Sequence, residues 1–512
     1  MATTRNDVQQ PTGTYHRWLV LVTVSVAQLM VVLDATIVNI ALPSAQRALH
    51  FANGDRQWVV TAYALAFGSL LLVGGRLGDM FSRRTMFITG LVGFAGASAL
   101  GGAANSITML LIARTLQGAF GALLAPSALG TLVSTFRDPR ERGRAFGVFG
   151  SVAAGGGGVG LILGGVLTQY LSWRYTLFVN LIFAAIAVAG ALIYMQTMRP
   201  ASRPRFDWAG TVLASSGLFG LVFGFSQAET SGWTSAKTLG PLIAGVVLLA
   251  AFVFAESRVT HPLLPLRIIL DRTRGGSYVS VLLTGVAIFG VFLFLTFYLQ
   301  QVKGYSPVTT GLAFLPLIGC ILASSNTSSI VLLPRVGPRA LIATGMLLGG
   351  GGMVYLTQLT VTSSYLTSIL PSLLVMGIGF GMIFAPAINT ATSGVRREDS
   401  GIASALVNAM QQVGGSIGTA ALSTIALTAT TSYLVTHHTG RLAVATASTH
   451  GYILAFAVSA GLFGLGLILA LVLLPSNRRL AELRAAASGP VPAPQGAGET
   501  VSAAGADQAG VT

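Results

Sequence analysis

Long apolar stretches, separated by short polar segments, recur from residue 18 to residue 474. A helix rises about 1.5 Å per residue, so roughly 20 apolar residues cross a hydrocarbon core of roughly 30 Å. The pattern predicts spans at 18–40, 57–75, 86–104, 107–133, 144–168, 174–198, 209–227, 239–256, 276–300, 308–333, 340–358, 366–391, 401–428 and 452–474, fourteen in all. Runs of this length imply helices rather than the shorter strands of a membrane barrel.

Composition agrees. Hydrophobic residues make up 53% of the chain and charged ones 9%, with a mean hydropathy of +0.74, whereas a soluble globule carries about 25% charge. The first span is too long for a signal-peptide core and contains Asp34 and Asn39, so it reads as retained. The lone Cys320 excludes an internal disulfide and reads as a small buried hydrophobe.

The net charge of +15 does not form one basic patch, so nucleic acid is not implied. With the N-terminus in the cytoplasm, only Arg47, Arg56, Arg174, Lys237, Lys303 and Arg441 fall outside. Arg114 lies within a span and the remaining basic residues lie inside, which is the positive-inside bias. Both termini are therefore expected in the cytoplasm of a multi-pass cell inner-membrane protein. After Pro475 the chain turns Ala/Gly/Pro/Ser-rich to Thr512, the composition of a disordered tail.

A repeat is embedded in this array. Gly121-Ala122-Leu123-Leu124-Ala125-Pro126 recurs as Gly381-Met382-Ile383-Phe384-Ala385-Pro386 at an offset of 260, and Arg76-Leu77-Gly78 as Arg335-Val336-Gly337 at 259. That offset exceeds six spans, so two extra helices sit between two six-helix halves, a 6+2+6 plan. The expected units are a cytoplasmic segment 1–17, a six-helix bundle 18–198, a linker 199–275 with two spans, a second bundle 276–475 and a tail 476–512. Parallel halves around a central cavity are the plan on which alternating access works.

Four features have no place in an inert apolar bundle. Asp34 is an ionisable side chain inside the first span, where a charge costs roughly 2.5 kcal/mol or more and marks function. Arg114 places a permanent cation in the fourth span and needs a carboxylate, carbonyls or water. Counted from the expected outer ends, each lies about seven residues, or roughly 10 Å, deep, so the two are expected to interact. A purely structural clamp is the alternative role for Arg114. The fifth span carries Gly156, Gly160, Gly164 and Gly165 in a spacing that lets backbones approach. The segment Gly75-Arg76-Leu77-Gly78-Asp79-Met80-Phe81-Ser82-Arg83-Arg84 reads as a tight loop with Asp79 placed to cap the third helix, or as an ordinary basic turn.

That loop resembles the signature loop between helices two and three of the major facilitator superfamily, with Ser82 where the family usually has glycine. The resemblance implies a gate latch at Gly75, Arg76, Gly78, Asp79, Arg83 and Arg84, for which Asp138 and Glu141 are expected partners. The glycine spacing from Gly156 to Gly165 resembles the antiporter motif of exporters in this superfamily, with Leu161 where the family has proline. The run Leu33-Asp34-Ala35-Thr36-Ile37-Val38-Asn39-Ile40-Ala41-Leu42-Pro43 looks like that of the fourteen-helix drug:proton antiporters. So do Ser172-Trp173-Arg174-Tyr175 with Phe178 and Asn180, Phe206-Asp207-Trp208, and Tyr298 to Gln301 with Gly304 to Pro307. The resemblance covers roughly residues 17 to 475.

It implies a proton-coupled exporter of amphipathic drugs or antibiotics, taken from the cytoplasm or inner leaflet, with Asp34 and Arg114 as the proton-coupling pair. A dedicated exporter of one metabolite or self-made antibiotic is the alternative. No metal-ligand spacing or phosphate-cradling loop points to an enzyme or to ATP as the energy source. The expected partners are a small amphipathic substrate, protons and the bilayer, with no cofactor and no obligate protein partner. His437-His438 reads as a surface pair, and Glu256 as solvated at a helix end.

Overall fold

The computed structural model describes residues 14–475 apart from 137, 197–206, 260–261, 263, 393–394, 396–399 and 437–442. His437-His438 and the expected tail 476–512 lie outside the described residues, within which there is no strand. The long helices are α1 (Thr14–Leu49), α2 (Arg56–Met80), α3 (Arg83–Gly102), α4 (Ile107–Thr135), α5 (Pro139–Tyr170) and α6 (Tyr175–Tyr194). Then follow α7 (Trp208–Ser231), α8 (Ala236–Glu256) and α9 (Arg272–Phe297), the last continued by a π turn, Tyr298–Val302. A short helix, Pro307–Ala313, leads into α10 (Leu315–Thr327), and α11 (Leu333–Leu356), α12 (Leu370–Thr392), α13 (Ser400–Thr436) and α14 (Ala443–Leu473) complete the chain.

Among the described residues, twelve helical stretches are long and apolar enough to cross a bilayer. One of them, Pro307–Leu356, has 50 residues, roughly 75 Å of helix against a core of roughly 30 Å. It turns at Gly337, whose φ of 76° lies in the left-handed region that favours glycine, so it makes two passes. With the 25-residue α2, the described helices are compatible with the expected fourteen. Their ends outrun the apolar stretches: α1 continues through Pro43 to Leu49 instead of stopping near residue 40.

Two groups of six form. In the first, α1 packs on α5 and α6, while α2 and α3 pack on α4. In the second, α9 packs on α13 and α14, while α10 and α11 pack on α12. Lipid offers apolar surface as readily as a neighbouring helix does, so close backbone approach rather than hydrophobicity selects the partner. A Cβ at Gly118 of α4 would lie 2.3 Å from the Tyr63 carbonyl oxygen of α2. In the second group a Cβ at Gly414 of α13 would lie 2.1 Å from the Leu282 carbonyl oxygen of α9.

The α7–α8 pair lies against both groups at the seam between α2 and α13. Gln57 Nε2 donates to Ser226 Oγ at 3.2 Å and Thr424 Oγ1 to the Phe225 carbonyl at 2.9 Å. Leu65, Val222 and Ala420, one from each of α2, α7 and α13, are buried together there. Two expectations need correction. Glu256 is buried, because the chain folds back over the end of α8 and Leu264 N donates to its Oε2 at 3.1 Å. Cys320 is half-buried on α10 rather than fully enclosed.

Candidate functional site

Ser106 caps α4, its Oγ accepting from Met109 N at 3.3 Å, and so fixes the register in which Arg114 follows about two turns later. Arg114 donates from Nη1 to Asp34 Oδ2 at 2.6 Å and to Gln117 Oε1 at 2.8 Å, and from Nε to the Val59 carbonyl at 3.1 Å. Its guanidinium lies over the Tyr63 ring, 4.4 Å from the centroid. Asp34 is 0% exposed and Arg114 2%.

Asp34 Oδ1 accepts from Gln117 Nε2 at 2.9 Å and from Asn180 Nδ2 at 2.8 Å. Both amides also donate to Ser98 Oγ, at 2.7 and 3.2 Å. Five helices, α1 to α4 and α6, thus contribute to one buried polar cluster, in which α4 and α6 hold the carboxylate directly. Away from water a charge is tolerated only when paired and hydrogen-bonded, and each oxygen of Asp34 meets that condition. Asn180 Oδ1 and Tyr63 Oη, both buried, have no hydrogen-bond partner among the described residues.

The structure therefore brings Asp34 and Arg114 into contact, though not at the expected counts from the helix ends. Asp34 lies 15 residues before the end of α1, roughly 22 Å of helix, whereas Arg114 is seven residues into α4. The counts from the helix ends differ because α1 extends beyond its apolar stretch, while the contact itself places the two side chains at one depth. Gln117, Ser98 and Tyr63 were not anticipated, and Asn180 entered only as part of a matching stretch. Gln117 was detectable in principle, since a residue three after Arg114 shares its helix face.

The second group holds nothing similar at the corresponding place. The repeat offset carries Asp34 to Leu293 or Phe294, Arg114 to Leu373 and Gln117 to Met376, all buried. Phe294 packs on Tyr452 and Phe456 of α14, with ring centroids 5.7 and 6.3 Å away. Where one group has a charge pair, the other has aromatic and aliphatic packing.

The glycines of α5 divide their work. A Cβ at Gly156, Gly160 or Gly164 would come within 2.9 Å of Leu29, 2.1 Å of Thr36 Oγ1 and 2.7 Å of Ile37, all on α1. Leu161 leaves α5 one continuous helix. Gly165 instead faces the second group, 2.7 Å from Val308 Cα by the same measure. From there the two groups diverge along α5. Gly158 would meet Ile318 at 3.5 Å and Gly157 at 3.9 Å, while Gly155, Gly150 and Gly147 meet nothing within 4 Å. Bonds from Gln300 Nε2 to the Ile40 carbonyl (3.0 Å) and from Val308 N to Gln169 Oε1 (3.3 Å) close the narrow end. Beside the start of α5, and lined by the first group alone, is an open cleft of about 670 Å³ between Trp18 of α1 and Arg144, Gly147, Val148 and Val152 of α5.

The turn between α2 and α3 is shorter than expected. Gly75 to Met80 remain helical and only Phe81-Ser82 connect the two helices. Ser82, not Asp79, holds the cap position of α3 and makes no side-chain cap bond. The side chains of Arg76 and Asp79 lie outside what the structure describes. A Cβ added at Gly75 or Gly78 would sit at ordinary contact distance, 3.7 Å, from Pro126 or Ser127 of α4. Arg83 Nη1 donates to the Gly130 carbonyl at 2.5 Å and Arg84 Nη2 to the Leu192 carbonyl at 2.8 Å. The expected partnership of these arginines with Glu141 is replaced, because Arg17 at the start of α1 takes that carboxylate at 2.5 Å. Asp138 Oδ1 instead accepts from Glu141 N at 3.0 Å, capping α5. Among the described residues no group of His, Cys, Asp and Glu is placed to hold a metal ion.

The sequence profile of the Major Facilitator Superfamily matches residues 24–419. A puromycin resistance protein of Streptomyces alboniger is 46% identical over 475 residues, covering 92% of this chain and 94% of that protein. The tetracenomycin C resistance and export protein of Streptomyces glaucescens is 36% identical, covering 83% of this chain and 80% of its own. Among solved structures, an inward-facing, occupied bacterial homologue of the human lysosomal transporter Spinster superposes with a TM-score of 0.65. It is 14% identical and matches 94% of this chain and 100% of that one, a likeness of fold alone. Profile, relatives and the all-helical multi-pass architecture agree: the chain belongs to the Major Facilitator Superfamily of membrane transporters.

Proposed function

We propose that this protein is a fourteen-helix proton-coupled antiporter that exports amphipathic antibiotics or drugs by alternating access. One observation carries the reading: a fully buried carboxylate, Asp34, held by Arg114, Gln117 and Asn180 in the half that also bears the antiporter glycines. Support for the direction comes from relatives named for puromycin resistance and for tetracenomycin C resistance and export. With both termini in the cytoplasm of the inner membrane, the Gly165–Val308 contact closes the outer side and the two groups part toward the inner one.

In this cycle substrate enters the inward cleft while Asp34 gives up its proton to the cytoplasm. The halves rock against each other at the α2–α13 and α5–α10 seams, while the α1–α5 and α2–α4 contacts lie within one half and move with it. Protonation of Asp34 from the outside then releases its hold on Arg114 and favours substrate discharge and return. Asp34→Asn keeps the side chain's size and two of its hydrogen-bonding roles but cannot exchange the proton. In vesicles it is expected to lose export driven by a pH gradient while remaining folded and inserted. Gradient-driven export at the wild-type rate in that variant rules Asp34 out as the coupling site.

The names of the relatives, each tied to one antibiotic, also favour a narrower reading, a dedicated exporter of one compound. Substrate-stimulated proton movement measured across several compound classes separates the two. Response to a single class supports the dedicated exporter, and response to many supports the broad one.

A further inference from the structure

Arg114 is held from its own helix and from two others, and the holds differ in kind. Asp34 reaches it from α1 as a charge and Gln117 from α4 as an amide oxygen. From α2 come the Val59 carbonyl at 3.1 Å and the face of the Tyr63 ring at 4.4 Å. In the proposed cycle Asp34 is neutral for part of each turn. A guanidinium cannot lose its proton in answer, and Arg114 is sealed from bulk water. What then remains opposite the cation is the oxygen of Gln117 and the two groups of α2.

Those two groups stand on a braced stretch of α2. Arg56, Val59 and Tyr63 fall at i, i+3 and i+7, on one face of the helix. Arg56 lies over the Phe297 ring of α9, 4.2 Å from its centroid, and Gln57 donates to Ser226 of α7 at 3.2 Å. At Tyr63 itself α4 comes close enough that a Cβ on Gly118 would lie 2.3 Å from the Tyr63 carbonyl oxygen. Gly118 is about one turn after Arg114, so cation and ring stand on two backbones in contact. Phe67 backs the ring, with centroids 5.8 Å apart. The Tyr63 hydroxyl has no hydrogen-bond partner among the described residues, which leaves the aromatic face as the part that meets Arg114. The repeat offset carries Tyr63 to Leu322 or Ala323. The half that lacks the charge pair lacks the ring as well.

We infer that Tyr63 is a positioning residue for proton exchange: its ring face, with the Val59 carbonyl, keeps Arg114 seated on α2 while Asp34 is neutral. The inference rests on the exporter reading above and adds to it the fate of the stranded cation. Among the described residues, the charged or titratable side chains of this cluster are Asp34, Arg114 and Tyr63. The other helices packed there bring Ser98 from α3, Asn180 from α6 and glycines from α5. The negative face of a ring counts most when no carboxylate cancels the charge above it and water is excluded. Protonation therefore frees α1 from the cation while Arg114 stays with α2 and α4, and the carboxylate finds its partner in the same place when the proton leaves.

Asp34→Asn stands in for the neutral state. The test compares folded-to-unfolded ratios, from denaturant titration in detergent at mildly alkaline pH, for substitutions of Tyr63 in the wild type and in Asp34→Asn. A cation–π contact ranges from a few-fold where the charge is matched or solvated to about 30-fold where it is desolvated. Tyr63→Leu is therefore expected to cost about tenfold more in Asp34→Asn than in the wild type, whereas lost packing alone costs the same in both. Tyr63→Phe keeps the face and removes only the unpartnered hydroxyl, so it should be silent in both. Trifluorophenylalanine installed at position 63 keeps the ring and withdraws the electron density of its face. It should destabilise relative to Tyr63→Phe, and more so in Asp34→Asn. Equal costs of Tyr63→Leu in the two backgrounds, or a fluorinated ring as stable as Tyr63→Phe in Asp34→Asn, overturn the role. No export is measured here, so failure of Asp34 as the coupling site, seen as gradient-driven export by Asp34→Asn, is read separately.

Discussion

Removing one member of the Asp34–Arg114 pair should be worse than removing both. Arg114→Leu takes the donor from Asp34 Oδ2, Gln117 Oε1 and the Val59 carbonyl, yet Asp34 keeps the amides of Gln117 and Asn180. Breaking a buried ion pair from one side costs about 3–5 kcal/mol, and the retained amides place this variant near the lower end, about 3 kcal/mol. Asp34→Leu strands a guanidinium that cannot lose its proton, with only the Val59 carbonyl, Gln117 Oε1 and the Tyr63 face to hold it. That places it near the upper end, about 5 kcal/mol. In Asp34→Leu/Arg114→Leu no charge remains. The Gln117 and Asn180 amides still reach Ser98, so the residual loss is the Val59 carbonyl and imperfect packing, about 2 kcal/mol. Thermal unfolding in detergent should rank wild type first, then the double variant, then Arg114→Leu, then Asp34→Leu. A double variant no more stable than Arg114→Leu would refute the view that the two charges are buried against each other.

Gly160→Ala puts a methyl 2.1 Å from Thr36 Oγ1 inside one half, and it should lower thermal stability by about 1–3 kcal/mol in every conformational state. Gly165→Ala puts one 2.7 Å from Val308 Cα across the seam, so its penalty of about 1–3 kcal/mol falls only on the state with that end closed. In a Cys320→Ser background, alkylation of a cysteine introduced at Gln169 should then rise in Gly165→Ala and not in Gly160→Ala, and equal rates would contradict the assignment. Glu141→Gln breaks a pair whose side chains are 28% and 34% exposed, so it should change stability by no more than about 1 kcal/mol in the same melting assay.

Much of this molecule is written in local pattern. Apolar run length gives the helices, and the shared offset of Arg76-Leu77-Gly78 and the Ala125-Pro126 segment gives the repeat. Asp34 and Arg114 stand out because a charge among apolar residues is anomalous at a single position. Asn180 and Ser98 do not, since a lone amide or hydroxyl in a span is common and its meaning depends on which helix faces it. The fate of Glu141 was equally hidden. Its partner, Arg17, sits 124 positions away on a helix whose start extends before its apolar stretch. Asp79 illustrates the reverse error: loop-like glycines suggested a turn, but the helix runs unbroken to Met80, and the glycine that α2 needs against α4 is Gly74, where a Cβ would lie 2.0 Å from the Ala122 carbonyl oxygen.

The aromatic packing of Phe294, Tyr452 and Phe456, where the other half keeps its carboxylate, sets a stalling gradient on the proposed cycle. A single proton carrier admits one proton per turn, and with about 100 mV and one pH unit that proton brings about 3.7 kcal/mol. An uncharged substrate then stalls at a concentration ratio of roughly 500, since each 1.4 kcal/mol is about a factor of ten. A monovalent cation leaving as the proton enters moves no net charge, so the voltage drops out and the ratio falls to about ten. A monovalent anion moves two charges in the favourable sense and stalls only near roughly 10⁴. A transporter with one titrating half is, by its electrical accounting, best suited to cargo of negative charge.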